Sequence, residues 1–193
     1  MNRFRNNSTF RLGLAALLAL AGFSLGSSNS THRPGSSEPE ASDNSEVQGY
    51  QAWTRVNREP AMMDAAAAAM CAQMVKTQNP HQNKFVTVFV NDAGKQAMLF
   101  QKQPTFPRGT VIVKQKLANP SSTEPEALTA MIKRAKGFNP EGGDWEYLVL
   151  TGDGSTVVSR GRNESCQACH RLYTATDFVT RAYLSADERH RLQ

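Results

Sequence analysis

Two thiols and an imidazole stand within five consecutive residues, Cys166-Gln167-Ala168-Cys169-His170. The C-x-x-C-H spacing is that of a c-type haem attachment site. Two cysteines three positions apart on an incipient helical turn reach the two vinyl groups on one edge of a porphyrin. The adjacent imidazole of His170 then falls over the iron as its axial ligand. A redox dithiol, half of a zinc site and a chance spacing compete with this reading. Zinc normally takes four Cys or His ligands, and the chain has no second C-x-x-C pair. A thioredoxin-like dithiol needs a βαβ context, whereas this pair follows a succession of strand-like runs. The expectation is one haem c, held covalently by Cys166 and Cys169, with His170 on the iron.

Other residues compete for the second axial position. His81 and the methionines Met62, Met63, Met70, Met74, Met98 and Met131 are candidate sixth ligands. Methionine is also the usual filler of irregular cores. His32 lies in a polar tether and His190 near the terminus, so neither is expected to face a haem. Cys71, in the run AAAAAMCAQM, reads as a small buried hydrophobe.

The elements that position these groups follow from pattern. Tyr50 to Trp53 opens a short helical stretch that Glu59-Pro60 breaks, and Ala61 to Val75 is Ala- and Met-rich and reads as a helix. Beyond His81 the pattern becomes that of strands: Lys84–Asn91, with turn chemistry behind it at Asp92-Ala93-Gly94, then Gly109–Lys114. Leu128 to Arg134 fits helix or strand. Gly142-Gly143-Asp144 turns the chain into Trp145–Leu150, and Gly152-Asp153-Gly154 turns it again into Ser155–Val158. The tail from Asp177 has Phe178, Arg181, Ala182 and Leu184 at helical spacing. The predicted fold is α+β, a mainly antiparallel sheet with N-terminal and C-terminal helices. Alternation puts Lys114 on the same face as Thr110 and Ile112. That suits a solvated strand lysine, or an edge strand guarded by Lys114 and Lys116.

Composition sets the outer bounds. With 193 residues, 39% hydrophobic and 20% charged, the chain has the balance of one globular domain. The formal charge of +5 is concentrated early, in Arg3, Arg5 and Arg11. Without residues 1–28 the count is 19 Lys+Arg against 17 Asp+Glu, which leaves no electrostatic footprint for nucleic acid. Those basic residues precede a fourteen-residue apolar run, Leu12 to Leu25, and the small residues Gly26, Ser27 and Ser28. This is the layout of a signal peptide, 1–28, and predicts a periplasmic or otherwise exported protein. Residues 29–46 are polar and read as a disordered linker, with a single haem domain over 47–193.

Three strings, FPRGTVIVKQKL, MIKRAKGFNPEGGDWEYLVL and CQACH with TDFVTRAYL after it, resemble the cytochrome P-460 family, which includes the beta-sheet cytochromes c-prime. The resemblance runs from about Gly49 to Leu184. It implies a mainly antiparallel sheet with a few helices, one c-type haem and a homodimer. It also makes Cys166 and Cys169 the thioether cysteines and His170 the proximal ligand. Lys114 falls where the cytochrome P-460 proteins carry a lysine bonded to the porphyrin rim.

The activity so implied is oxidation of hydroxylamine at an open iron position, with electrons passed to a redox partner protein. Family members active on hydroxylamine can place a carboxylate above the iron. The comparable stretch here, Leu128-Thr129-Ala130-Met131, has none, and Glu124 and Glu126 are the nearest acids. A cytochrome of the c-prime kind that binds nitric oxide would share the fold but lack the crosslink. A plain electron-transfer cytochrome would fill the sixth position with His81 or a methionine.

Overall fold

The computed structural model describes residues 43–63, 83–190 and 192, all within one compact unit spanning residues 37–193. Runs of β-branched and aromatic residues form its strands, and glycine- or proline-bearing segments separate them. The elements are β1 (Thr54–Arg55), β2 (Ala61–Met62), β3 (Phe85–Val90), α1 (Asp92–Phe100), β4 (Val111–Leu117), β5 (Ala127–Lys133), β6 (Trp145–Thr151), β7 (Val157–Gly161), α2 (Glu164–His170) and α3 (Ala186–His190). Strands β3 to β7 form an antiparallel meander, and β1 and β2 both pair with the outer side of β3, completing seven strands. This is the mainly antiparallel α+β architecture that the sequence predicts.

Strand alternation divides the interior into two layers. One face carries Val86, Val88, Val90, Ile112, Met131 and Tyr147, and Met98 of α1, Phe106 and Leu184 pack on it. The opposite face carries Phe89, Val113, Leu128, Ile132 and Leu148, against which Val47 and Tyr50 close. Tyr50 meets Phe89 edge-on, with ring centroids 5.4 Å apart. Each such buried aliphatic side chain contributes about 2 kcal/mol.

Several expectations need correction. Ala61–Met62 is strand, not the start of a helix; the rest of that predicted helix, with Met70, Cys71, Met74 and His81, lies outside the described residues, as does the predicted signal peptide. Asp92-Ala93-Gly94 is no turn but the first turn of α1, capped by the Asn91 side chain. Leu128 to Arg134 resolves as strand β5. The tail from Asp177 does not start a helix: Asp177 and Phe178 both have positive φ, and α3 begins only at Ala186. Residues 43–46, at the end of the segment read as linker, are bonded to the sheet. The Asn44 amide bonds the Gly154 carbonyl at 2.7 Å, and Glu46 takes two bonds from Arg134 at 2.7 and 2.6 Å.

Candidate functional site

Helix α2 sets the chemistry. Positions i, i+3 and i+4 share one helix face, so Cys166, Cys169 and His170 all line one cavity of about 220 Å³ against the sheet. The predicted helical turn is therefore real, and it brings the three residues together. The opposite wall comes from β4 to β6, where registered neighbours present Ile112, Met131 and Tyr147 in one row and Lys114 beside Thr129 in the next. Tyr173, Thr180 and Tyr183 close the cavity from the segment after α2, and Met62 and Met63 stand at its margin.

The imidazole is prepared as a ligand. His170 Nδ1 lies 2.7 Å from the Phe178 carbonyl, which only accepts, so Nδ1 carries the proton and Nε2 keeps its lone pair. Burial, reinforced by the charge of Lys114, pushes the His170 pKa down to about 3. The ring is therefore neutral across physiological pH, as iron ligation requires. Burial likewise pushes the Cys166 thiol up. That is opposite to the low-pKa thiol of a redox dithiol. Among the described residues no three His, Cys, Asp or Glu side chains gather as a metal-ion site, so the zinc alternative finds no ligand set there.

Lys114 points into this cavity. It is 9% exposed, and its Nζ stands over the Tyr183 ring, 5.3 Å from the centroid. The edge-strand explanation of Lys114 and Lys116 fails, because β4 is paired on both sides, with β3 and with β5. Lys116 is 1% exposed, and its Nζ donates to Met63 Sδ at 2.9 Å. Two buried ammonium groups thus face a cavity whose described lining has no carboxylate. Glu126 pairs with Lys84 instead, and Glu124 is exposed. Of the described methionines, Met62, Met63 and Met131 line the cavity, whereas Met98 is packed in the core and accepts a 3.4 Å bond from the Tyr183 hydroxyl.

Residues 47–181 match the Cytochrome P460 family. The chain belongs to that family. None of the curated proteins matches it. Membership makes a cytochrome P460 a haem protein, and the residues present fit such a group. The two thiols and the imidazole share one helix face, and the opposite wall is largely apolar. In addition, the Tyr147 hydroxyl, buried in that wall, has no hydrogen-bond partner among the described residues. A buried hydroxyl without a partner is costly, and a polar group bound in the cavity would supply an acceptor. Sequence reasoning missed Tyr147, Tyr183 and the inward direction of Lys116. Alternation along WEYLVL and VIVKQKL was the available signal, since Tyr147 follows Trp145 and Lys116 follows Lys114 by two positions.

Proposed function

We propose that the protein is an exported, mono-haem c-type cytochrome of the cytochrome P460 and cytochrome c-prime-beta fold, with Lys114 bonded to the porphyrin rim. Cys166 and Cys169 form the thioethers, and His170 is the sole protein ligand to iron. The observation that carries this reading is that a lysine from a central strand is buried in the same cavity as the C-x-x-C-H helix. A solvated or edge lysine would not be placed so.

The chain's residues then have distinct roles. His170 holds Nε2 unprotonated, the apolar walls exclude water, and Tyr147 offers a neutral phenol donor because burial raises its pKa. The haem supplies the redox chemistry when bound, and a lysine–porphyrin bond tunes it through distortion and electronics. With His170 as the sole protein ligand, the bound haem would leave room for a small nitrogen compound such as hydroxylamine and would pass its electrons to a redox partner protein. Export and a homodimer complete the reading. They rest on the basic-apolar N-terminus and on the family resemblance, respectively.

The acid-free lining favours a second reading, a nitric-oxide-binding cytochrome without turnover, since no described side chain there is a ready carboxylate base. One digest separates the two. The haem peptide should contain the Lys114 segment joined to the CQACH segment, and the main haem absorption should lie to longer wavelength than in ordinary c-type cytochromes. Lys114→Ala should abolish both signs, keep the haem through acid–organic extraction, and lower hydroxylamine oxidation far more than nitric oxide binding. A wild-type haem peptide with only the Cys166–Cys169 segment gives the function to gas binding.

A further inference from the structure

We propose that Asp177 is a positioning residue for His170: its carboxylate locks the turn Asp177-Phe178 in the conformation that aims the Phe178 carbonyl at His170 Nδ1. The consequence at iron rests on the cytochrome reading, whereas the consequence at the imidazole rests on geometry alone.

The turn is unusual in its backbone. Asp177 has φ 51° and Phe178 φ 66°, two consecutive non-glycine residues in the left-handed region. Aspartate tolerates that region better than most residues, whereas a bulky phenylalanine is an outlier there. Such a conformation persists only where its surroundings over-determine it. They do so here. Lys133 Nζ donates to both Asp177 carboxylate oxygens at 2.7 Å, and the Phe106 amide donates to Oδ2 at 2.8 Å. Trp145 Nε1 donates to the Asp177 carbonyl at 2.8 Å, and the Phe178 amide donates to the Tyr173 carbonyl at 2.8 Å. Lys133 is itself fixed by the Gly143 carbonyl at 2.7 Å and by the Trp145 ring, 4.9 Å from the centroid. A Cβ at Gly143 would strike the Phe178 ring, so that glycine leaves room for the turn.

The clamp thus joins β5, β6 and the loop before β4 to one carbonyl, and that carbonyl is the hydrogen-bond partner of the imidazole. A firm acceptor at Nδ1 fixes the tautomer and raises the donor strength of Nε2. A stronger donor favours ferric over ferrous iron. Loosening the turn should therefore weaken the iron–imidazole bond and make the midpoint potential more positive.

The test compares Asp177→Gly, Asp177→Asn and Arg134→Met in the haem-bearing protein. Glycine removes the carboxylate while leaving positive φ freely accessible. Asparagine keeps an acceptor for the Phe106 amide. Arg134→Met breaks an ion cluster on the other sheet face and controls for stability alone. Asp177→Gly should lower the ferrous iron–imidazole stretching frequency and raise the potential, Asp177→Asn should fall between, and Arg134→Met should keep wild-type values despite a lower melting temperature. Wild-type frequency and potential in Asp177→Gly overturn the proposal. Wild-type protein without covalent haem overturns the cytochrome reading instead, and ¹⁵N NMR of the His170 ring then decides the clamp. A single Nδ1-protonated tautomer in the wild type that becomes mixed in Asp177→Gly supports it; an unchanged tautomer overturns it.

Discussion

Tyr147 is 2% exposed, its ring centroid lies 5.3 Å from that of His170, and its hydroxyl finds no partner among the described residues. Folding around such a group costs about 1–3 kcal/mol unless something in the cavity accepts its proton. In a haem-free Cys166→Ala/Cys169→Ala background, Tyr147→Phe should therefore raise stability by about 1 kcal/mol in urea denaturation. In the haem-bearing protein the same change should lower it, because the acceptor is then present. A loss in both backgrounds would reveal a protein acceptor and remove Tyr147 from the site. At this scale the motif residues were legible and their surroundings were not. Cys166, Cys169 and His170 announce themselves by spacing alone, because thioether chemistry dictates that spacing. Lys114 needed a family resemblance, since a lysine in a strand has an ordinary explanation until the strand is known to be central. Alternation from Trp145 puts Tyr147 on an inward face, but that reads equally as core, and only tertiary packing decides whether its hydroxyl is partnered.

Helix α1 shows where local pattern misleads about elements. Asp92-Ala93-Gly94 has turn composition, yet Asn91 caps a helix there, and its Oδ1 accepts from the amides of Gly94 at 3.3 Å and Val111 at 3.1 Å. Its amide also donates to the Gly109 carbonyl at 2.9 Å. Gly94 is a glycine because a Cβ would strike the Thr110 side chain, not because the chain turns. The tail misleads in the opposite sense: Phe178, Arg181, Ala182 and Leu184 are spaced for a helix, but the bonds to Asp177 and Trp145 impose a left-handed turn instead. Strands β3 and β6 were readable to within a residue or two because their β-branched and aromatic runs agree with their burial, whereas β5 fitted helix or strand until its pairing with β4 and β6 decided it. One side chain that holds both a helix start and the first residue of β4 should matter more than a simple cap. Asn91→Ala should cost about 2 kcal/mol, at the upper end for caps, and Asn91→Asp, which keeps the acceptor, clearly less. Equal losses for the two, measured by urea midpoints, would mean that the Gly109 bond dominates.

On the scale of the whole molecule, the N-terminal segment is tied to the sheet by charge as well as by Val47 and Tyr50. Glu46 and Glu146 share Arg134 and Arg160, and Arg160 and Glu146 are nearly excluded from water, with side chains 2% and 4% exposed. Residues 29–46 read as linker by composition, and nothing local to Glu46 signals two arginines about a hundred positions away in sequence. Burial alone would raise the Glu46 pKa, but hydrogen bonds from Arg134 and Arg160 outweigh it and hold the carboxyl below its ordinary value of 4.5. A depressed folded pKa means that the unfolded chain binds the proton more readily, so Glu46 stabilises the fold at pH above 4.5 and loses that contribution as pH falls through the folded value. Glu46→Gln leaves the cluster with two arginines and one glutamate and should cost about 2 kcal/mol at neutral pH, less than a fully buried pair because Glu46 is partly solvated. The gap between wild type and Glu46→Gln, followed by urea denaturation in buffers of decreasing pH, should stay constant down to about pH 5 and close below it. A gap that is unchanged at pH 3 would show that the Glu46 contribution is packing rather than charge.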